Sequence, residues 1–273
     1  MGLRRRIVHP DDQSIYDRHV EEDENQHRNS EVEFRIIHTD GSIRWISHIC
    51  QPVYADQEAY LGVRGSNRDV TKRKLAEERI YHMATHDGLT DLPTLKLAMD
   101  RLSMALSEAR RHRTMAAVMF IDLDGFKAVN DTLGHDAGDY VLKQVTQSLL
   151  ASVRETDTVA RVGGDEFLII ATGVHSPENT ALIAEKILQL MSQPVIFNGR
   201  KTVVGTSIGI ALYPDHGKDK DQLIKLADEA MYRIKNSGKN GYSFANLVKP
   251  PHRSSQEGLQ STRLVDSMGG LGS

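Results

Sequence analysis

Hydrophobic and polar residues alternate with a period of two early in the chain. Glu33-Phe34-Arg35-Ile36-Ile37 and Ile43-Arg44-Trp45-Ile46 both alternate, and Asp40-Gly41 stands between them, so the pattern predicts a β-hairpin. A third strand is predicted around Tyr60 to Gly65. Three strands with one apolar face are near the lower limit for independent stability, so this region is expected to lean on a partner. The period then lengthens. From Lys72 to about His86, Leu75, Ala76, Ile80 and Met83 recur among charges at helical spacing. Such a short helix suits parallel pairing with a second copy and a plain surface position equally well. His82 and His86 stand four apart, but without a third ligand nearby they read as surface residues.

From Asp87 onward helix and strand patterns take turns. Leu95, Met99, Leu102 and Leu106 form a helical stripe, and Met115 to Ile121 a buried strand. Val141, Val145, Leu149 and Val153 form a second stripe, and Leu182, Ile183, Ile187, Leu190 and Met191 a third. Val203 to Ala211 reads as another strand, and Leu223, Ala227, Met231 and Ile234 as a last helix. In every stripe the apolar residues are expected to pack in the core. The alternation implies an α/β sandwich with a mostly antiparallel or mixed sheet. After Asn246 the chain turns to Pro, Ser, Gly and Gln, and disorder is expected there.

The most informative stretch is Arg161-Val162-Gly163-Gly164-Asp165-Glu166-Phe167-Leu168-Ile169-Ile170. Its two glycines are expected to supply the positive φ of a tight hairpin turn, with an apolar strand following. Asp165 and Glu166 lie between turn and strand. A bare hairpin has no use for paired acids at a sheet's rim, where they are costly unless a cation neutralises them. Asp122 and Asp124 end the strand that starts at Met115. Two strand ends presenting carboxylates suggest one site for a hard divalent cation. Gly125 permits close backbone approach to a phosphate, and Lys127 adds positive charge beside the acids, a combination suited to phosphoryl transfer.

Bulk composition narrows the setting. The 273 residues carry a net charge of −3 with acids and bases interspersed, which gives no support for nucleic acid as a partner. The single cysteine, Cys50, excludes a disulfide framework and fits a reducing compartment. No apolar run approaches the length of a membrane span, and Arg4-Arg5-Arg6 is not followed by a signal-peptide core. A cytoplasmic location without membrane insertion is therefore expected.

His9-Pro10-Asp11-Asp12, the Phe34-Arg35 strand, Asp40-Gly41-Ser42, Arg44-Trp45 and Arg68-Asp69-Val70-Thr71 together resemble the C-terminal half of a PAS sensor domain over residues 7–71. The first strands and pocket helices of that family have no counterpart in this stretch. A truncated or vestigial sensor is expected, with no bound sensory ligand.

Gly163-Gly164-Asp165-Glu166-Phe167 is the signature of the GGDEF family, the diguanylate cyclases, and residues 84–246 resemble that family throughout. The supporting motifs are Asp87-x-Leu89-Thr90, the Asp122 to Asp139 segment, Ser207-Ile208-Gly209-Ile210-Ala211, Ala227-Asp228-x-Ala230-Met231-Tyr232, Lys235 and Gly238-Lys239-Asn240. The resemblance implies a palm-like mixed sheet flanked by helices, and the following division. Residues 1–71 form the C-terminal part of a PAS domain, 72–86 a signalling helix, 87–246 the catalytic domain and 247–273 a tail.

The implied activity joins two GTP molecules into cyclic di-GMP in a homodimer. Asp122, the Leu123 carbonyl and Asp165 would hold two Mg²⁺ ions, with Mn²⁺ as an alternative and Glu166 close by. Asp165, with Glu166, would accept the proton, and Lys127 would stabilise the transition state. Asn130 and Asp139 would read the guanine edge. Phe126 and His135 would line the substrate pocket, His135 serving there or ordering its loop. Lys235 and Lys239 would face the β- and γ-phosphates. Arg154-x-x-Asp157 resembles the family's product-inhibition site for cyclic di-GMP. The rival reading is a non-catalytic GGDEF module that binds GTP or cyclic di-GMP and signals by contact.

There are departures from the family pattern. Leu89-Thr90-Asp91-Leu92-Pro93-Thr94-Leu95 stands where the family has Leu-Thr-Gly-Leu-Pro-Asn-Arg, so a stability cost is expected at Asp91 rather than a dead site. Lys239 occupies a position that is often Arg, keeping the charge and losing the bidentate fork.

Overall fold

In a computed structural model, which describes residues 6–56 and 59–246, the N-terminal alternation becomes a three-stranded antiparallel sheet. The tail expected to be disordered lies outside the described residues. The chain divides into two compact units at Leu97–Ala98.

In the first unit a 3₁₀ turn, Pro10–Asp12, leads into α1 (Gln13–Gln26). Strands β1 (Ser30–Ile37), β2 (Ile43–Tyr54) and β3 (Tyr60–Asp69) pair in that order, and α2 (Thr71–Thr85) follows. The predicted hairpin is present in register, Ile36 opposite Arg44 and Ile37 opposite Ile43. Asp12 is only 5% exposed, and its charge is met by the Arg35 guanidinium at 2.6 and 2.9 Å and the Arg35 amide at 2.7 Å. That bonding holds the Asp12 carboxyl below its usual range. Glu33 pairs with Lys74 and Arg73, and the Trp45 amide donates to Thr71 Oγ1, so the start of α2 is tied to the sheet. The apolar residues of α2 are not core. Leu75, Ile80 and Met83 are exposed, in line with either a surface position or a helix that pairs with a second copy.

The second unit contains a five-stranded sheet in the order β10 (Gly241–Phe244), β9 (Gly205–Tyr213), β4 (Met115–Asp124), β6 (Glu166–Val174), β5 (Thr158–Gly163). Only the β10–β9 pair is parallel. Around it lie α3 (Leu95–His112), α4 (Phe126–Leu133), α5 (His135–Ser152), α6 (Pro177–Met191) and α7 (Lys220–Asn236), with a small hairpin of β7 (Val195–Phe197) and β8 (Arg200–Thr202). Ala98, Leu102, Ala105, Leu106 and Ala109 of α3 pack with Leu223, Ala227 and Met231 of α7 against Val118, Phe120, Leu168 and Ile170. Strand β4 is central. Its two edges are paired to β6 and β9, and its residues from Ala116 to Leu123 are all buried.

Some predicted boundaries and faces shift. Strand β4 runs through Asp122 to Asp124, where the acids were expected to end it, because neighbours on both sides carry the ladder onward. Strand β9 starts at Gly205 and not at Val203, which is 59% exposed. Leu182 is 62% exposed, and the buried face of α6 is Thr180, Ala184, Ile187 and Met191.

Candidate active site

Three chain segments meet at one end of the sheet of the second unit. They are the C-terminal end of β4, the β5–β6 turn and the start of β9. Register sets the chemistry: Asp122 stands opposite Glu166 on one side and Ser207 on the other. Directly opposed residues on antiparallel strands share a face, so the two carboxyl groups are neighbours. Asp165 is fixed by backbone contact, the Leu123 amide donating to its carbonyl oxygen at 3.2 Å.

Only Gly164 of the two turn glycines takes positive φ, at 51°. The two-residue turn is Gly164-Asp165, with Gly163 paired opposite Glu166 as an ordinary strand residue. The expectation for Gly163 is therefore corrected, since one positive φ is enough to reverse this chain. Arg161, with no role assigned from its sequence position, braces the turn. Its Nε and Nη2 groups donate to the Gly164 carbonyl at 3.0 and 2.7 Å.

The electrostatics are those of crowded acids. Asp122 is 4% exposed, and burial raises its pKa against the opposing pull of Lys235. Glu166 is also raised, by burial first and then by the charges of Asp122, Asp165 and Asp228. Lys235, from α7, places its Nζ 2.5 Å from Asp122 Oδ2. Burial alone would lower the Lys235 pKa, but the Asp122 contact and the surrounding acids outweigh it, and the net shift is upward. Asp228 joins this field from α7, named in the sequence only as part of the Ala227 to Tyr232 motif. Oxygen donors gathered in this way suit a hard divalent cation.

Asp124 has a different job. Both its oxygens accept from Ser207 Oγ, at 2.9 and 3.0 Å, and Oδ2 accepts from the Asn240 amide at 3.0 Å. It thereby anchors the Gly238-Lys239-Asn240 turn at the acidic strand end, with exposed Lys239 one residue away. No sequence signal links Asp124 to Asn240, because the contact is purely tertiary.

The remaining predicted substrate residues gather on α4 and α5. Helix α4 begins directly after Asp124-Gly125, so its N-terminal amides start beside the acids, with Phe126 buried and Lys127 exposed. Gly138 of α5 is what lets the two helices meet. A Cβ there would stand 1.9 Å from Asn130 Oδ1 and 3.2 Å from Phe126 Cζ. Asn130 and Phe126 are thus brought against the turn that carries Asp139, while His135 opens α5 and is exposed.

Arg154 and Asp157 are not part of this cluster. They precede β5, at the end of that strand opposite the turn, and a six-residue strand spans roughly 20 Å. Asp157 Oδ2 accepts from the Arg154 amide and Oδ1 from the Thr172 amide, both at 3.0 Å. The carboxylate therefore orders the loop. Arg154 and Asp157 line a groove of about 730 Å³ together with Arg101, Glu108 and His112.

The family model described as diguanylate cyclase, GGDEF domain, matches residues 84–241, and the PAS fold model matches residues 3–67. The chain is 43% identical over 185 residues to the bifunctional diguanylate cyclase/cyclic di-GMP phosphodiesterase MucR of Pseudomonas aeruginosa, covering 68% of this chain and 27% of MucR. It is 42% identical over 172 residues to the diguanylate cyclase TpbB of the same organism, covering 63% of this chain and 40% of TpbB. It thus spans well under half of these relatives. The solved GGDEF domain of TpbB superposes with a TM-score of 0.58 at 41% identity, over 59% of this chain and 95% of that one. The coiled coil and GGDEF domain of DgcB from Caulobacter crescentus, in complex with c-di-GMP, gives a TM-score of 0.59 at 28% identity, over 64% and 93%. The chain belongs to the GGDEF diguanylate cyclase family.

Proposed function

We propose that this chain condenses two GTP molecules into cyclic di-GMP, releasing two pyrophosphates, with residues 87–246 as the catalytic domain. The observation that carries the reading is the opposition of Asp122 and Glu166 across β4 and β6, both with raised pKa, beside a backbone-fixed Asp165. Acids held this close at a half-buried rim are destabilising by themselves, and a divalent cation relieves the repulsion. Asp122, the Leu123 carbonyl, Asp165 and Glu166 fit two Mg²⁺ ions in donor type. When bound, such ions supply charge neutralisation at the α-phosphate and acidify the attacking 3′-hydroxyl.

The chain's own residues do the rest. Asn130 and Asp139 accept from the guanine N1–H and exocyclic amine, and Phe126, with His135, shapes that pocket. Lys127 and Lys239 bring positive charge to the phosphates, and Lys235 turns from Asp122 to join them. Asp165 and Glu166 take the proton of the 3′-hydroxyl. One domain holds one GTP, so the product requires a second copy in two-fold relation. The exposed Leu75, Ile80 and Met83 of α2 support pairing through that helix. Arg154, on a loop ordered by Asp157, binds the product, a role in keeping with DgcB having been solved in complex with c-di-GMP. Product analysis tests the reading. Purified chain with GTP and Mg²⁺ should yield cyclic di-GMP and pyrophosphate; GDP or unchanged GTP counts against it.

A further inference from the structure

The first unit buries few apolar side chains. Val8, Phe34, Cys50 and Val70 lie inside, but so do Asp12, His19, Ser47 and His48. Three of these residues converge. His48 and Cys50 stand two apart on β2 and so share a face, and His19 of α1 packs onto it, its ring 5.4 Å from that of His48 in an edge arrangement. Each of the three is 6% exposed, and one ligand atom from each lies within 4.8 Å of the other two.

We propose that His19, His48 and Cys50 form a site for a borderline-soft divalent cation of the zinc class. The donor set is two imidazoles and one thiol, which such metals prefer over hard cations. Donors bonded at about 2.0–2.3 Å in a tetrahedron lie roughly 3.3–3.8 Å apart. Cys50 Sγ is already 3.2 Å from His48 Nε2, and a His19 nitrogen lies within 4.8 Å of both.

The orientation of His48 is an independent sign. Its Nδ1 is 2.7 Å from Asn67 Oδ1, and an amide oxygen can only accept, so Nδ1 carries the proton. Nε2 therefore turns its lone pair toward Cys50. A second ring nitrogen held by an oxygen acceptor is the arrangement that orients metal-binding histidines. On binding, the thiol proton is released to solvent and the thiolate and both imidazole lone pairs go to the cation. Three protein ligands leave one tetrahedral position for water or an exchangeable ligand. An apolar cavity of about 150 Å³, lined by Tyr16, Phe34, Ile46, His48 and Asn67, adjoins the His48 ring. A small unit with a scant core also gains most from such a staple.

Cys50 is the only cysteine, so a thiolate signal can come from nowhere else in the chain. The test uses the full chain, reduced, stripped by chelator and titrated with Co²⁺ alone. The expected result is a thiolate-to-cobalt charge-transfer band saturating at one equivalent, present in Asp165→Asn and absent in Cys50→Ser. Asn67→Leu should weaken Co²⁺ by about 10- to 100-fold. Zn²⁺ should raise the unfolding temperature of the wild type by more than that of Cys50→Ser, whose remaining rise comes from the acidic cluster of the second unit. A wild-type titration without the band overturns the proposal whatever the variants do, and so does a Zn²⁺ effect equal in the two proteins.

Discussion

Lys235 Nζ lies 2.5 Å from Asp122 Oδ2, joining the last helix of the chain to the acidic end of the central strand. Asp122 is almost fully buried, so this ammonium is its compensating charge. Replacing Lys235 by Met should lower stability by about 1–3 kcal/mol, less than for a fully buried pair because Lys235 keeps partial solvent contact. Mg²⁺ should restore part of that loss by supplying another cation to the same acids. Urea unfolding of wild type and Lys235→Met, with chelator and with Mg²⁺, reads both effects.

Gly138 predicts a specificity defect. Gly138→Ala puts a methyl group into the space of Asn130 Oδ1, so the amide proposed to read guanine must move. The expected outcome is a fall of about tenfold or more in kcat/KM for GTP, about 1.4 kcal/mol of lost recognition. Circular dichroism should be unchanged. Steady-state kinetics against GTP concentration check this.

How much of this was legible beforehand depends on the range of the interaction. The Asp40-Gly41 hairpin and the buried strand from Met115 were readable because turn chemistry and apolar period are local. Asp91, where a stability cost is expected, takes φ 59°, a left-handed conformation that suits glycine. The hairpin of β7 and β8 was missed although its turn, Asn198-Gly199, is a recognised signal, with φ of 47° and 77°. Its strands are three residues each and carry no period. On α6 the large residue Leu182 drew the core stripe the wrong way, because a close helix contact prefers the small Ala184. The acids of the site were readable as a set, since Asp122, Asp165 and Glu166 sit at strand ends. Their supports were not: Arg161 on Gly164, Asn240 on Asp124 and Lys235 on Asp122 all need the folded chain.

Stability should also depend on pH through His216. It is buried, its Nδ1 accepts from the Leu212 amide at 2.8 Å, and burial lowers its pKa from the ordinary 6.5. The unfolded chain therefore binds the proton more readily than the fold does. The contribution of the neutral ring is complete above 6.5 and is lost as pH falls below it toward the depressed folded value. Denaturation of wild type between about pH 7 and pH 5 should show this slope, and His216→Asn should flatten it.

Product inhibition should separate from catalysis. Arg154 stands at the far end of β5 from the Gly164-Asp165 turn, so Arg154→Ala should leave the initial rate near that of wild type. Progress curves with added cyclic di-GMP should lose their early plateau. Inhibition unchanged in that variant would remove Arg154 from the product site.

The most direct measurement compares wild type with Asp165→Ala in GTP and Mg²⁺, quantifying cyclic di-GMP by chromatography. In the proposed site Asp165 would contribute a carboxylate to the metal ions, while its backbone, held by the Leu123 amide, keeps the turn in place. Wild type should form the product, and the folded variant should form at least about a thousandfold less. Comparable synthesis by the two proteins, or none by wild type, would contradict an active metal-dependent cyclase built on Asp122, Asp165 and Glu166.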